Sequence, residues 1–413
     1  MNIYLLILLI ILLGGYLLNV TVDILNIKHS GNELPEEFAD YYNPEKYKKS
    51  IEYLKKNTYF DIVHEGIILC VIIIFILGGG FNLINSFAVK FEFGYLLTGL
   101  IFAGIIYLLS SLISIPFSMY KTFIIEEKYG FNRTTLKTFI LDILKGYLLT
   151  IVIGSPVFIF IIWIFRNFGD KAWLYCWTGI SAIQILLMFI APAVIMPLFN
   201  KFTPIQEGEL KNSIEGYAQK EKFQLNGVFT MDGSRRSTKS NAFFTGFGKY
   251  RKIVLFDTLI KNHTTDEIVA VLAHEIGHYK KRHILKFMFM AILNTGIMLF
   301  ALSFFVHSPG IFEAFKMESQ PVYAGILFFA FFYEPINYAI SVVTNIFSRK
   351  FEYEADKFAV KTSNKKEAFI TALKKLSADN LSNLTPHPVK VFLEYSHPPV
   401  LERIKTIRQD LTN

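Results

Sequence analysis

Long apolar runs alternate along the chain with two long polar stretches. Ile3–Val20 is dominated by isoleucine and leucine, and comparable runs recur later. A membrane-spanning helix needs about 20 mostly apolar residues. Seven segments qualify: roughly 3–25, 62–83, 94–118, 138–165, 172–199, 287–307 and 322–347. The fifth is interrupted at Pro192 and Pro197 and the seventh at Glu334 and Pro335, breaks that neighbouring helices can absorb. The pattern predicts an all-α membrane protein in four parts. Five spans occupy 1–199, a polar domain 200–286, two more spans 287–347, and a polar C-terminal region 348–413. Within the first polar domain, SNAFFTGF and KIVLFDTLI flank GKYR and predict a two-stranded β-hairpin. An amphipathic helix is expected from about Thr265, because Thr-Thr-Asp-Glu supplies an N-cap followed by first-turn acids.

Composition agrees. Of 413 residues, 52% are hydrophobic and 18% charged, against about a quarter charged in soluble domains. This excludes a soluble globular enzyme, a disordered chain and a disulfide scaffold. Cys70 and Cys176 both lie in apolar runs and read as small buried hydrophobes. The N-terminal run has no basic flank or small-residue cleavage site, so a retained first span is expected.

The net charge of +8 reads as topology. Loops after the odd-numbered spans, with the C-terminal tail, hold 36 basic residues; those after the even-numbered spans hold 4. Short loops alone give 10 against 4. The positive-inside rule places the N-terminus outside and both polar stretches in the cytoplasm. Basic loops facing anionic lipid account for the charge, so the bilayer is the expected partner and nucleic acid is not.

The helix from Thr265 contains H-E-x-x-H: His274, Glu275 and His278. Positions i and i+4 share a helix face, so both imidazoles can bind one Zn²⁺, and Glu275 can serve as general base toward water on the metal. Chance would produce this motif on the order of 0.01 times in such a chain. A catalytic zinc uses three protein ligands. Glu352 in SRKFEYEADKFA is the best third candidate, because spans six and seven make one out-and-back excursion and return the chain to the cytoplasmic face. Asp356, one turn later, suits a carboxylate holding a zinc-bound imidazole in its tautomer. Glu354 points away from that face and is expected to be solvated. His283, five residues after His278, is off the ligand face. Glu334, in a span, is expected to face a water-filled space.

With these residues in place, the sequence resembles the intramembrane zinc CAAX prenyl endopeptidases. The resemblance rests on HEIGH, FEYEAD, EEKYGFN (Glu126–Asn132), SNAFFTGF (Ser240–Phe247), IVLFDTLI (Ile253–Ile260) and YSHPPVLERI (Tyr395–Ile404), and covers nearly the whole chain. It implies seven tilted helices enclosing a chamber, closed on the cytoplasmic side by a gluzincin-like zinc domain. It also implies one Zn²⁺ per chain and a prenylated CAAX peptide as substrate, cut near its C-terminus. At matching positions it gives Glu352 as third ligand, Asn241 as a binder of substrate backbone, His397 as oxyanion donor, and Arg403 as a residue positioning His397 or substrate. The Ile/Asn/Lys-rich usage suits a low-GC bacterium, where prenylation is not expected; the membrane is the plasma membrane in a bacterium and the endoplasmic reticulum in a eukaryote. Two other readings share parts of the pattern. A quality-control protease would have H-E-x-x-H without the motifs around Asn241 and His397. A transporter or scaffold with an inert metal site would have no need of Glu275.

Overall fold

The computed structural model describes residues 2–31, 33–245 and 251–409. Among the described residues, seven helices are long and apolar enough to cross a membrane: α1 (Ile3–His29), α2 (Pro44–Leu77), α3 (Tyr95–Tyr129), α4 (Leu136–Asn167), α5 (Gly169–Phe199), α8 (His283–Phe305) and α9 (Val322–Ser363). Between α5 and α8 lie α6 (Glu209–Lys220) and α7 (Thr265–Lys280). After α9 come α10 (Lys366–Asp379), α11 (Pro388–Glu394) and α12 (Val400–Gln409).

The spans match the apolar runs in number, with shifted ends. α2 stops at Leu77 because Gly78 and Gly79 follow, the latter left-handed at φ +72°, and a separate short helix runs Gly80–Val89. The breaks expected in the fifth and seventh spans are absorbed. Pro192 lies in a π-helical turn, Ala191–Ile195, and α9 continues unbroken through Pro335. At 1.5 Å per residue, the 42 residues of α9 extend about 63 Å, twice the hydrocarbon thickness of roughly 30 Å. Its second half therefore projects out of the membrane, carrying Glu352 and Asp356.

The expected hairpin exists as part of a larger sheet. β3 (Ala242–Thr245) pairs antiparallel with β4 (Lys252–Phe256), in register Ala242↔Leu255, while residues 246–250, the end of SNAFFTGF and most of GKYR, lie outside the described residues. Two further strands, β1 (Phe202–Pro204) and β2 (Val228–Met231), give the order β1-β2-β4-β3, with β2 and β4 parallel. β3 is an edge strand and packs along α7.

Among the described residues, three cores hold the molecule together. The largest gathers Tyr42 just before α2, Tyr47 and Ile51 from its start, Ile125 and Phe131 around the end of α3, and buried residues of α6, the sheet, α7, α10 and α12. The loops richest in lysine and arginine thus form one body at one end of the helices. The other two cores sit among the spans, one built on Leu8, Phe81, Phe102 and Phe328, the other on Phe165, Cys176 and Leu299. The most apolar stretch of each span carries few buried residues, as expected of helices that wrap a hollow and face lipid. Cys176 is buried, as expected; Cys70 is exposed, because little packs against the apolar part of α2, which is only 6% buried.

Candidate active site

α7 is fixed at its start. Thr264 Oγ1 accepts from the Glu267 N–H at 3.3 Å, and Glu267 Oε2 accepts from the Thr264 N–H at 3.1 Å. Such reciprocal caps contribute about 1 kcal/mol. Lys375 of α10 holds both Glu267 oxygens, at 2.8 and 2.9 Å. Six successive residues, Ile268, Val269, Ala270, Val271, Leu272 and Ala273, are all buried, so packing surrounds the helix and fixes its rotation.

That rotation brings the Nε2 atoms of His274 and His278 to 3.1 Å from each other. α9 crosses beside them and supplies Glu352, with Oε1 3.2 Å from His278 Nε2 and Oε2 3.4 Å from His274 Nε2. One donor atom from each residue lies within 4.8 Å of the others, the one such group among the described residues. Glu352 is 4% exposed, and its Oε2 is buried without a hydrogen-bond partner. Two imidazole nitrogens and an orphaned carboxylate oxygen converging in a buried site form a donor set that fits a metal ion.

Behind the ligands lies a second set of contacts. His274 Nδ1 is 2.7 Å from Asp356 Oδ1. Asp356 is 2% exposed and accepts a two-pronged pair from Arg403 of α12, Nε at 2.8 Å and Nη2 at 2.6 Å. Arg403 Nη1 also stands 3.6 Å from Glu352 Oε2. Burial disfavours a charged His274, but the Asp356 and Glu352 carboxylates beside it overcome this and lift its pKa to about 9. The carboxylates thus make the spot between the Nε2 atoms attractive to positive charge. Glu275 follows His274 and is half-buried; burial pushes its carboxyl above the usual range, against the pull of both imidazoles.

His397, just before α12, joins the cluster with Nε2 3.3 Å from Glu352 Oε1, while its Nδ1 meets Ser396 Oγ at 2.9 Å. Arg403 contacts Asp356, and among the described residues no hydrogen bond joins it to His397. Asn241 stands exposed at the entrance to β3, its Oδ1 accepting from the Ala242 N–H at 2.8 Å. It is placed by the sheet, since the Phe256 N–H donates to its carbonyl at 3.1 Å. Glu334 lines a cavity of about 470 Å³ among the spans, together with Asn294, Tyr333 and Asn337.

Two residues set aside on sequence grounds belong to the surroundings of the ligands. His283 is completely buried, with Nδ1 3.0 Å from His278 Nδ1 and Nε2 3.1 Å from Glu354 Oε2. Glu354 is therefore not simply solvated. It does point away from the ligand face of α9, but the start of α8 meets it there.

A multi-pass membrane protein whose HEIGH helix and emergent span converge on one ligand set is, by class, an integral-membrane metallopeptidase. The chain belongs to peptidase family M48, whose model matches residues 204–411. A second model, described as CAAX prenyl protease N-terminal, five membrane helices, matches 23–201. The chain is similar to CAAX prenyl protease 1 homolog of Arabidopsis thaliana, at 37% identity over 91% of this chain and 90% of that protein. It is similar to CAAX prenyl protease 1 of Saccharomyces cerevisiae, at 34% identity over 92% and 89%. Its fold matches the crystal structure of S. mikatae Ste24p with a TM-score of 0.93 and 33% identity, covering 98% and 99% of the two chains.

Proposed function

We propose that the protein is a zinc endopeptidase that cuts near the C-terminus of CAAX-type, prenylated substrates at the cytoplasmic membrane face, with His274, His278 and Glu352 holding one zinc. The observation that carries this is the buried convergence of those three donors, with the Glu352 oxygen left unserved. Similarity to CAAX prenyl proteases across nine-tenths of the chain supports the substrate class. The gathering of the basic loops into one body supports the cytoplasmic assignment.

When bound, zinc supplies Lewis acidity that polarises the scissile carbonyl and lowers a water's pKa to about 7. Glu275 takes the proton from the attacking water and passes it to the departing amine. Its raised pKa suits a group that must hold that proton for part of the cycle. His397 donates to the oxyanion that develops on the carbonyl oxygen, the kind of preorganised contact worth about 3 kcal/mol elsewhere. Asn241 and the open edge of β3 bind the extended substrate backbone. Asp356 holds the His274 tautomer, and Arg403 keeps Asp356 ionised and in place.

The test uses purified protein and matched peptides, farnesylated and not, read by mass spectrometry. Activity should vanish with chelator and return with Zn²⁺, and cleavage should favour the farnesylated peptide. Glu275→Gln should keep zinc and lose cleavage by at least 100-fold, the scale of general acid–base catalysis. Chelator-resistant activity overturns the zinc assignment. Equal cutting of both peptides replaces CAAX selectivity with a broader membrane protease.

A further inference from the structure

The two histidine ligands are not supported in the same way. His274 reaches its carboxylate directly, through Nδ1 to Asp356 at 2.7 Å. The Nδ1 of His278 meets another imidazole, His283 Nδ1, at 3.0 Å, and the far nitrogen of that imidazole meets Glu354 Oε2 at 3.1 Å. His283 is completely buried, and its ring lies flat on Phe351, with centroids 4.3 Å apart and planes 9° apart.

We infer that His283 and Glu354 are positioning residues that fix the tautomer and rotation of His278, completing for the second ligand what Asp356 does for the first. This rests on reading His274, His278 and Glu352 as a zinc site. The proton count follows from donor and acceptor chemistry. A carboxylate only accepts, so the proton on His283 sits on Nε2, facing Glu354. The Nδ1 of that imidazole is then a lone pair. Two ring nitrogens 3.0 Å apart need one proton between them, so His278 carries it on Nδ1. The Nε2 of His278 is left as a lone pair on the side it shares with Glu352 and His274, where a bound metal ion would take the place of a proton. The opposite tautomer would point an N–H at the place where a metal must bind. Flat stacking on Phe351 keeps the His283 ring from turning, so the order of protons is also an order in space.

His283→Phe keeps a ring on Phe351 but cannot accept from His278. Glu354→Leu removes the acceptor from a half-exposed position, and Glu354→Gln restores one through its amide oxygen. Zinc affinity is measured by chelator competition on the purified full-length proteins in detergent, beside the melting temperature of each metal-free form. Outer-shell partners of zinc ligands typically set 10–100-fold in affinity. His283→Phe and Glu354→Leu should therefore bind zinc at least 10-fold more weakly, Glu354→Gln should recover most of the loss, and the metal-free melting temperatures should stay together. Zinc affinities within twofold of wild type in both His283→Phe and Glu354→Leu overturn the inference. So does a Glu354→Gln protein as weak as Glu354→Leu, since carboxylate charge alone would then explain the effect. A wild-type protein that takes up no zinc overturns the zinc reading itself, and the inference with it.

Discussion

Gly277, inside HEIGH, sets the distance between the two helices that carry the ligands, and Gly277→Ala should pull the site apart. A methyl group there would lie 3.1 Å from the Cα and 3.1 Å from the carbonyl oxygen of Ala355, and 3.2 Å from Phe358 Cβ. Ordinary carbon contacts begin at about 3.5 Å, so α7 and α9 must part by roughly 0.4 Å. The obstruction is mainly backbone and cannot swing aside. His278 adjoins Gly277, and Glu352 lies one turn before Ala355, so the separation passes almost undiminished into the ligand set. Metal–ligand distances tolerate only about 0.2 Å.

Two effects on stability oppose each other. Overpacking costs about 1–3 kcal/mol, while alanine in a helix regains about 1 kcal/mol over glycine. Net destabilisation of roughly 0–2 kcal/mol should leave the protein folded but with a poor metal site. The assay is chelator competition for zinc, with melting temperature and peptide cleavage measured on the same preparations. Zinc affinity should fall at least 10-fold, and cleavage at limiting zinc should fall with it. Gly216→Ala is the control: that glycine, in α6, has nothing within 4 Å of the added methyl and should be neutral or slightly stabilising. A Gly277→Ala protein with wild-type zinc affinity would refute the claim that this contact sets the ligand spacing.

Other positions test the rest of the reasoning. Asp356→Asn takes from the largely enclosed Arg403 the carboxylate it pairs with through two hydrogen bonds, a loss that costs up to about 3–5 kcal/mol in buried pairs. Its melting temperature and zinc affinity should both drop clearly; a change in neither would refute the role given to the pair. Arg349 of α9 donates to the carbonyls of Val391 at 2.9 Å and Tyr395 at 2.5 Å, clamping the end of α11 two residues before His397. Arg349→Leu should lower kcat about 10-fold, part of an oxyanion donor's worth, with zinc content unchanged; normal kcat would remove the clamp from the argument. His263 is buried with neither ring nitrogen partnered, and burial holds its pKa below the ordinary 6.5. The unfolded chain then binds a proton that the folded one refuses, so stability is lost as pH falls below about 6.5. His263→Phe should show a smaller drop in melting temperature between pH 7 and 5.5 than wild type, and equal drops would refute this.

What could be read from the sequence, and what could not, divides at the points where a helix stops. Within one helix the phase is known, so His274 with His278, and Glu352 with Asp356, could be assigned to shared faces from spacing alone. Pairing α7 with α9 needed only the out-and-back topology of two spans. Strands β1 and β2 are separated by α6, and β2 pairs with β4 in parallel, so no short turn marks either pairing; β3 and β4 follow one another closely, and only that pair was legible. His283 was missed for a sharper reason. Five residues on a continuous helix turn through about 140° beyond a full circle, which places position 283 well away from the ligand face. The helix is not continuous: Arg282 takes a left-handed conformation at φ +57°, and His283 opens α8. That one residue resets the phase, folding His283 back against His278 and bringing it to Glu354. A basic residue at a positive φ is uncommon and leaves no signature in hydrophobic periodicity. The support of one ligand therefore depends on a backbone kink that the sequence pattern cannot reveal.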